Sequence, residues 1–200
     1  IFLNQYGNMD NGASHFDITG PEIYQQTKGE FDTFLATVGT GGTISGCSRY
    51  LKAKIPNLKV VGVDCVGSIL MHYHKTGKIG EAKPYVVEGI GEDFIPDNVL
   101  FDQIDDFVMV GDEESFHMTR RLLTEEGIYS GGSSGSAIVG AIRYAETLQR
   151  PERILVILPD SGNRYASKIY KEDWMLEMGY FRAESVKDEL DIQIEKILDN

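Results

Sequence analysis

Five consecutive residues, Gly39-Thr40-Gly41-Gly42-Thr43, have the composition of an anion-binding turn. An apolar run precedes them and a segment with helical spacing follows, so they lie where a strand ends and a helix begins. Glycines let the backbone turn tightly and approach a ligand, and the start of a helix offers unpaired N–H groups to an anion. The sequence therefore predicts a phosphate-binding turn, the alternative being a tight strand–helix turn without a ligand.

Neither common nucleotide motif is complete at this turn. The dinucleotide fingerprint G-x-G-x-x-G would place its third glycine at Ile44, although Asp64 stands about where the ribose-binding acid would be. A P-loop would need Gly-Lys followed by Ser or Thr, which the chain does not contain. A nucleotide-binding or regulatory module without catalytic activity stays open as an alternative function.

Three later segments are also rich in glycine or in small polar residues, at 87–91, 130–135 and 158–162. Ligands of an open α/β sheet bind beyond the carboxyl ends of its strands, so these segments could converge with the first turn. Residues 131–135 also match G-x-S-x-G, with Ser133 as the nucleophile of a hydrolase. The required histidine should follow that serine, but the last one, His117, precedes it, and a hydrolase is not favoured.

The elements that would position these segments alternate along the chain as in a parallel sheet covered by helices. Apolar runs predict strands at 34–38, 59–63, 107–110 and 153–158, and helical spacing predicts helices at 43–54, from 112 to a stop at Gly127, and at 136–148. Residues 67–95 show little periodicity and are predicted to be a long loop.

Composition excludes several classes of protein. The chain has 31 acidic and 19 basic residues among 200, a net charge of −12, which disfavours binding to nucleic acid. A hydrophobic fraction of 42% predicts a globular chain, while no apolar stretch approaches the roughly 20 residues of a membrane helix. Two cysteines without a CxxC motif exclude a disulfide scaffold, and we expect a cytoplasmic protein.

Read in order, the motifs of this chain resemble those of the cystathionine β-synthase and cysteine synthase family, pyridoxal-phosphate (PLP) enzymes of fold type II. They are Gln5-Tyr6, GTGGTISG, VGVD, GSIL, VEGIGEDFIP, EEGIYSGGSSGSA and ILPDSGNRY. The resemblance covers about the first 180 residues. It implies a three-layer α/β/α fold with a mostly parallel sheet, as in the tryptophan synthase β-subunit, for residues 1–182, followed by a charged amphipathic tail or linker at 183–200.

The resemblance also implies roles for particular residues. Residues 39–43 would bind the PLP phosphate, and Ser133 would bond to the pyridine nitrogen. The cofactor ring or the substrate would be lined by Tyr6, Gly89, Gly91, Pro159 and Asp160. At Glu92, well-known eukaryotic members carry a tyrosine instead, which leaves the preference for the second substrate open.

The activity implied is PLP-dependent β-replacement in transsulfuration, in which serine or an activated serine reacts with a small thiol. Residues 88–96 favour cystathionine β-synthase, with homocysteine as the thiol, over cysteine synthase, which uses O-acetylserine and sulfide. Family membership further implies a homodimer. The family's mammalian members also bind haem, through an N-terminal extension that these residues do not include, so haem is not expected. His72 and His74 lack a third ligand, so no metal site is predicted either.

The family's Schiff-base lysine lies in a Ser-x-Lys motif before the glycine turn. Only Lys28 precedes residue 39 here, in a predicted exposed helix end, and Ser185-Val186-Lys187 repeats the letters of the motif after the core. We read the latter as a helix start. We therefore expect no catalytic residue in this chain and no activity of the chain alone. The first residue, Ile1, and the helical pattern that reaches Asn200 predict a piece of a longer protein.

Overall fold

The computed structural model describes residues 2–180, and its core is one parallel sheet. The strands are β1 (Thr33–Thr37), β2 (Lys59–Cys65), β3 (Asp106–Val110) and β4 (Ile154–Val156), in the order β3-β2-β1-β4. Leu35 of β1 pairs with Val61 on one side and Val156 on the other. Because the chain crosses from β3 to the far side of β1, the strand order reverses between β1 and β4. In such sheets the ligand crevice lies at that reversal, beyond the carboxyl ends of the strands.

Helices connect and cover these strands. They are α1 (Asp10–Ser14), α2 (Gly20–Thr27), α3 (Gly42–Lys54), α4 (Leu70–Thr76), α5 (Asp112–Glu126), α6 (Gly132–Glu146) and α7 (Glu172–Glu177). A π-helical turn, His15–Thr19, joins α1 to α2, so residues 10–27 form one continuous helical segment. Two 3-10 turns complete the list, Phe101–Gln103 and Gly162–Tyr165.

Two hydrophobic clusters lie on opposite faces of the sheet, which confirms the predicted three-layer arrangement. Side chains alternate between the faces along a strand, so Phe34 and Leu35 of β1 belong to different clusters. The cluster of Phe34 includes α2 and α3, represented by Ile23 and Leu51. The cluster of Leu35 includes α5, α6 and α7. Both faces are therefore covered, as a parallel sheet requires.

The predicted helix at 136–148 begins four residues earlier, at Gly132. Its first turn holds serines and glycines, which are poor helix formers, so tertiary packing overrides local preference here. Gly135 allows α6 to pack closely against α5, because a Cβ at this position would overlap the carbonyl oxygen of Ser115. Ser136 also bonds to Ser115, at 2.8 Å. Most of the glycine-rich segment at 130–135 is thus the buried start of a helix rather than a loop.

Other predicted elements agree with the structure to within a few residues. The strand predicted at 153–158 is shorter, Ile154–Val156, and the long loop predicted at 67–95 contains the short helix α4. No helix among residues 2–180 is long and apolar enough to cross a membrane. The tail predicted at 183–200, with Lys187, lies outside the described residues.

Candidate active site

The turn at residues 39–43 places several unpaired N–H groups at the start of α3. The first amide of this helix with a backbone acceptor is that of Ser45, which donates to Gly41 O at 3.0 Å. Within the described chain, the amides of Gly42, Thr43 and Ile44 have no acceptor. Together with the helix dipole of a 13-residue helix, these amides form the anion-binding geometry that the sequence predicts.

Close packing within the protein accounts for the glycines of this turn. A Cβ at Gly41 would stand 2.5–2.7 Å from side-chain and main-chain atoms of Val99, and one at Gly42 would overlap the side chain of Asn11. A Cβ at Gly39 would be 2.8 Å from the carbonyl oxygen of Gly89. Because these glycines have no side chain, three other segments of the protein can pack closely against the turn. The sequence analysis instead explained the glycines by the close approach of a ligand.

The two threonine hydroxyls of the turn are oriented by the N-terminal helical segment. Asn11 Nδ2 donates to Thr40 Oγ1 at 3.1 Å and to the carbonyl oxygen of Gln5 at 2.7 Å. Because Thr40 Oγ1 accepts this bond, its own hydrogen is available to a ligand. His15 Nε2 lies 3.2 Å from Thr43 Oγ1, and its Nδ1 lies 2.9 Å from Thr19 Oγ1. Burial lowers the pKa of His15, which favours the neutral ring.

Sequence reasoning missed both Asn11 and His15. The signal that could have found them is their spacing: residues 11, 15 and 19 are polar and four positions apart, so they share one helix face. In the structure Asn11 and His15 on that face bond to the threonines of the turn, and Thr19 bonds to His15.

Ser133 lies in the first turn of α6, beside the segment that follows β4. It is 3% exposed, and its hydroxyl has no side-chain or main-chain partner among residues 2–180. Gly131 N–H donates to Asp160 O at 3.2 Å, and Ser130 forms a bridge with Ser161. The structure thus brings Ser133, Pro159 and Asp160 together at the carboxyl end of β4, next to β1 and its glycine turn.

Several polar atoms around this second turn are buried without a partner in the described chain: Ser130 Oγ, Ser134 Oγ and Asp160 Oδ1. The other carboxylate oxygen of Asp160 accepts a bond from the Tyr165 hydroxyl at 2.8 Å. Buried polar groups are normally satisfied. These three atoms are enclosed by the protein, so they make the interior of this turn polar without lining the open site.

Gly89 and Gly91 differ in what surrounds them. A Cβ at Gly89 would meet no atom within 4 Å, so this residue borders open space. A Cβ at Gly91 would overlap Cys65 Sγ, so packing explains that glycine. The Gly91 amide also donates to Val38 O at 2.7 Å, which fixes residues 89–91 against the start of the glycine turn.

Tyr6 and Glu92 form a pair next to these glycines. The Tyr6 hydroxyl lies next to the Glu92 carboxylate, and the Tyr6 ring packs edge-on against Phe94 with 5.1 Å between centroids. Burial raises the pKa of Glu92, the nearby Tyr6 hydroxyl lowers it, and the negative charge of the neighbouring Asp93 raises it further. Burial and the nearby Glu92 charge likewise raise the pKa of Tyr6.

The residues that suggested other functions in the sequence have structural roles or exposed positions in the structure. Asp64, the mimic of a ribose-binding acid, is fully buried and accepts bonds from the amides of Cys65 and Met71 at 2.9 and 2.8 Å. It therefore stabilises the start of α4 and cannot reach a ribose. His74 packs against the ring of Phe107, and no group of three potential metal ligands occurs among residues 2–180. Lys28 is exposed at the end of α2.

Comparison with known proteins decides the family. Residues 1–160 match the family described as pyridoxal-phosphate dependent enzyme. The chain belongs to this family. The membership predicted from the motifs is thereby confirmed, and PLP is the family's cofactor.

Individual relatives agree with this assignment. The chain is 45% identical over 186 residues to cystathionine beta-synthase of Mus musculus, covering 92% of this chain and 33% of that protein. It is 40% identical over 164 residues to cysteine synthase of Helicobacter pylori, covering 82% and 51%. The crystal structure of O-acetylserine dependent cystathionine beta-synthase from Helicobacter pylori superposes with a TM-score of 0.76 at 40% identity, covering 84% and 53%. The chain thus spans a third to a half of the length of these relatives.

The residues present fit the cofactor. The first turn offers unpaired amides and a free hydroxyl hydrogen to a phosphate, Ser133 offers an unpartnered hydroxyl, and Gly89 borders open space. None of these groups is a buried cation or anion that would have to be neutralised first.

Proposed function

We propose that the protein to which this chain belongs catalyses PLP-dependent replacement at the β-carbon of serine or an activated serine, with homocysteine as the attacking thiol. One observation carries the proposal. An anion-binding turn and the hydroxyl of Ser133, which has no hydrogen-bond partner within residues 2–180, lie at the carboxyl ends of the neighbouring parallel strands β1 and β4, in a chain of the PLP-dependent family.

In this proposal residues 39–43 hold the cofactor phosphate through the amides of α3 and the hydroxyls of Thr40 and Thr43. Ser133 holds the pyridine nitrogen with a neutral hydroxyl, which does not retain a proton there as a carboxylate would. When bound, PLP supplies an electron sink for the amino-acid substrate. A weaker sink suits elimination and replacement at the β-carbon better than racemisation or transamination.

No lysine among residues 2–180 bonds to either glycine turn. Lys168 pairs with Glu88, next to Gly89, and Lys28 is exposed on the opposite end of the N-terminal helical segment. We therefore propose that the lysine that binds PLP covalently is supplied by a segment outside this chain, and that the 200-residue chain alone is inactive. Borohydride reduction of the chain with PLP, followed by peptide mapping, tests this; stoichiometric labelling of Lys187 or Lys168 would contradict it.

Product analysis of the full-length protein tests the activity itself. We expect cystathionine from serine or O-acetylserine and homocysteine, at a higher kcat/KM than cysteine from sulfide. A higher kcat/KM with sulfide would instead support the cysteine synthase alternative. PLP that neither binds nor supports any product would support a module without catalytic activity.

Two further expectations stay predictions that rest on the sequence and its resemblance. The protein is expected to be a homodimer and to reside in the cytoplasm. Light scattering of the purified full-length protein measures the first, and a monomer mass would contradict it.

A further inference from the structure

Glu92 is a half-buried carboxylate that no cation neutralises. Among residues 2–180, none of the ion pairs includes Glu92 or its neighbour Asp93. Even the more exposed Glu88, four residues earlier, pairs with Lys168. Carboxylates that lose part of their water are usually paired with a cation, because desolvation disfavours the charge. An unpaired one at this position therefore requires an explanation.

The position of Glu92 is fixed by a closed ring of contacts around the phosphate turn. On one side, Gly91 N–H donates to Val38 O, one residue before the turn. On the other side, the Glu92 carboxylate lies next to the Tyr6 hydroxyl, and the carbonyl of the preceding residue, Gln5, accepts a bond from Asn11, which also bonds to Thr40. The Tyr6–Glu92 pair therefore bridges the edge of the candidate active site, next to Gly89 and the open space that it borders.

The fold does not require a charge at position 92. The main chain of this residue is anchored independently of its side chain: its amide donates to Ser68 Oγ at 3.0 Å, and its carbonyl oxygen accepts from the amide of Ile69 at 3.0 Å. The Tyr6 hydroxyl could bond equally well to an uncharged amide side chain. Burial raises the pKa of Glu92, so folding disfavours the ionised form. A group that is costly to the fold and unpaired at a site edge is best explained by a ligand.

We infer that Glu92 is a specificity-determining residue that binds the ammonium group of the attacking amino-acid thiol. This inference rests on the proposed function. Within it, a carboxylate at the site edge attracts a nucleophile that carries an ammonium group and repels the hydrosulfide anion, which has no cationic part. The thiol of the same molecule then enters the site while its ammonium group stays at the edge. Glu92 thereby discriminates between two classes of nucleophile by charge.

The test compares three thiols with the cofactor-loaded full-length protein. L-Homocysteine carries the ammonium group, 4-mercaptobutyrate is the same thiol acid without it, and sulfide is a bare anion. Equilibrium dialysis measures binding of the first two without the amino-acid substrate, and steady-state kinetics measures kcat/KM for all three. The variants are Glu92→Gln, which keeps a partner for Tyr6, and Glu126→Gln, which makes the same charge change at an exposed position at the end of α5.

In Glu92→Gln we expect a loss of about tenfold or more in homocysteine affinity, the size of one charge-assisted hydrogen bond. Binding of 4-mercaptobutyrate should be unchanged or tighter, and kcat/KM with sulfide unchanged or higher. Glu126→Gln should match the wild type in every measurement. Thermal unfolding of both variants confirms that each is folded.

The outcomes separate the inference from the proposed function. Equal homocysteine affinity in Glu92→Gln and the wild type, or equal losses for homocysteine and 4-mercaptobutyrate, would overturn the role of Glu92 even if the enzyme makes cystathionine. A wild type that does not bind homocysteine would overturn it as well. Selective loss of homocysteine binding, with no β-replacement product from any thiol, would support the ammonium site and refute the proposed activity.

Discussion

Two glycine-rich turns border the candidate active site, and they are built in different ways. The turn at 39–43 offers main-chain amides, and its hydroxyls are oriented by Asn11 and His15. The turn at 131–134 offers side-chain hydroxyls, and those of Ser133 and Ser134 have no partner within residues 2–180. Both precede a buried helix, and both were predicted from the same feature, clustered glycines.

The difference indicates what each turn can bind. Amides at a helix start suit a full negative charge, and they depend on backbone geometry rather than on any one side chain. A hydroxyl can donate or accept one hydrogen bond with a neutral group, and it depends on a single residue. Substitutions should therefore affect the first turn through its packing and the second turn through its chemistry.

The largest effect is expected from Gly41→Ala, because it damages the backbone of the first turn. Gly41 has a φ of +87°, and a Cβ there would lie 2.5–2.7 Å from Val99. We expect a lower melting temperature and PLP affinity reduced by more than tenfold, measured by thermal unfolding and by absorbance titration of the full-length protein.

Gly127→Ala is the matched control for this change. Gly127 ends α5 with a φ of +70°, and a Cβ there would meet nothing within 4 Å. Gly127→Ala therefore adds the same conformational strain as Gly41→Ala, of order 1 kcal/mol, without the steric overlap. If the two variants bind PLP equally well, packing of Val99 does not maintain the anion site.

The second turn should respond to side-chain chemistry without a loss of folding. Ser133→Asp introduces a carboxylate that would hold a proton on the pyridine nitrogen, so we expect severe slowing of β-replacement and a shifted cofactor absorbance. Ser133→Ala removes one hydrogen bond, and PLP affinity should fall by about two- to tenfold, equivalent to roughly 0.5–1.5 kcal/mol.

Ser134→Ala provides the comparison within the same helical turn. Its hydroxyl is fully buried and has no partner among the described residues, so removing it should leave PLP affinity unchanged and stability equal or higher. Ser133 variants that behave like Ser134→Ala would show that Ser133 is only a helix-start residue and that the inferred orientation of the cofactor is wrong.

Sequence reasoning located these turns better than it explained them. The four strands, the three long helices and the first turn follow from local patterns, since apolar periodicity and glycine position are encoded within a few residues. Glycine is needed at position 41 because Val99 packs against it, and at position 135 because Ser115 does. Such pairs are distant in sequence, so no local pattern identifies them. Asn11 and His15 were missed for the same reason, because the threonines to which they bond lie 29 and 28 residues away in sequence.

A smaller effect, dependent on pH, should distinguish the first turn from the second. Burial lowers the pKa of His15 below its ordinary value of 6.5, so the unfolded state binds more protons as the pH falls past that value. Stability should therefore fall as the pH drops below about 6.5. His15→Gln should reduce this dependence, while His72→Gln, at an exposed position, should retain it. Chemical denaturation of the wild type and of both variants at several pH values measures this dependence.

The smallest expected effect has the opposite sign and concerns Glu92, the half-buried carboxylate beside Tyr6. Burial raises its pKa above the ordinary value of 4.5, so the folded state binds more protons than the unfolded state just above that pH. Stability is then lost as the pH rises through the folded pKa, and the ionised carboxylate is unfavourable at neutral pH. Glu92→Gln should therefore be more stable than the wild type at pH 7, by about 0.5 kcal/mol or less because the group is partly solvated. The difference should disappear below about pH 4.5, where both states are protonated. A variant that is less stable at pH 7 would mean that the fold itself uses this charge, and the main reason to assign it to a ligand would be lost.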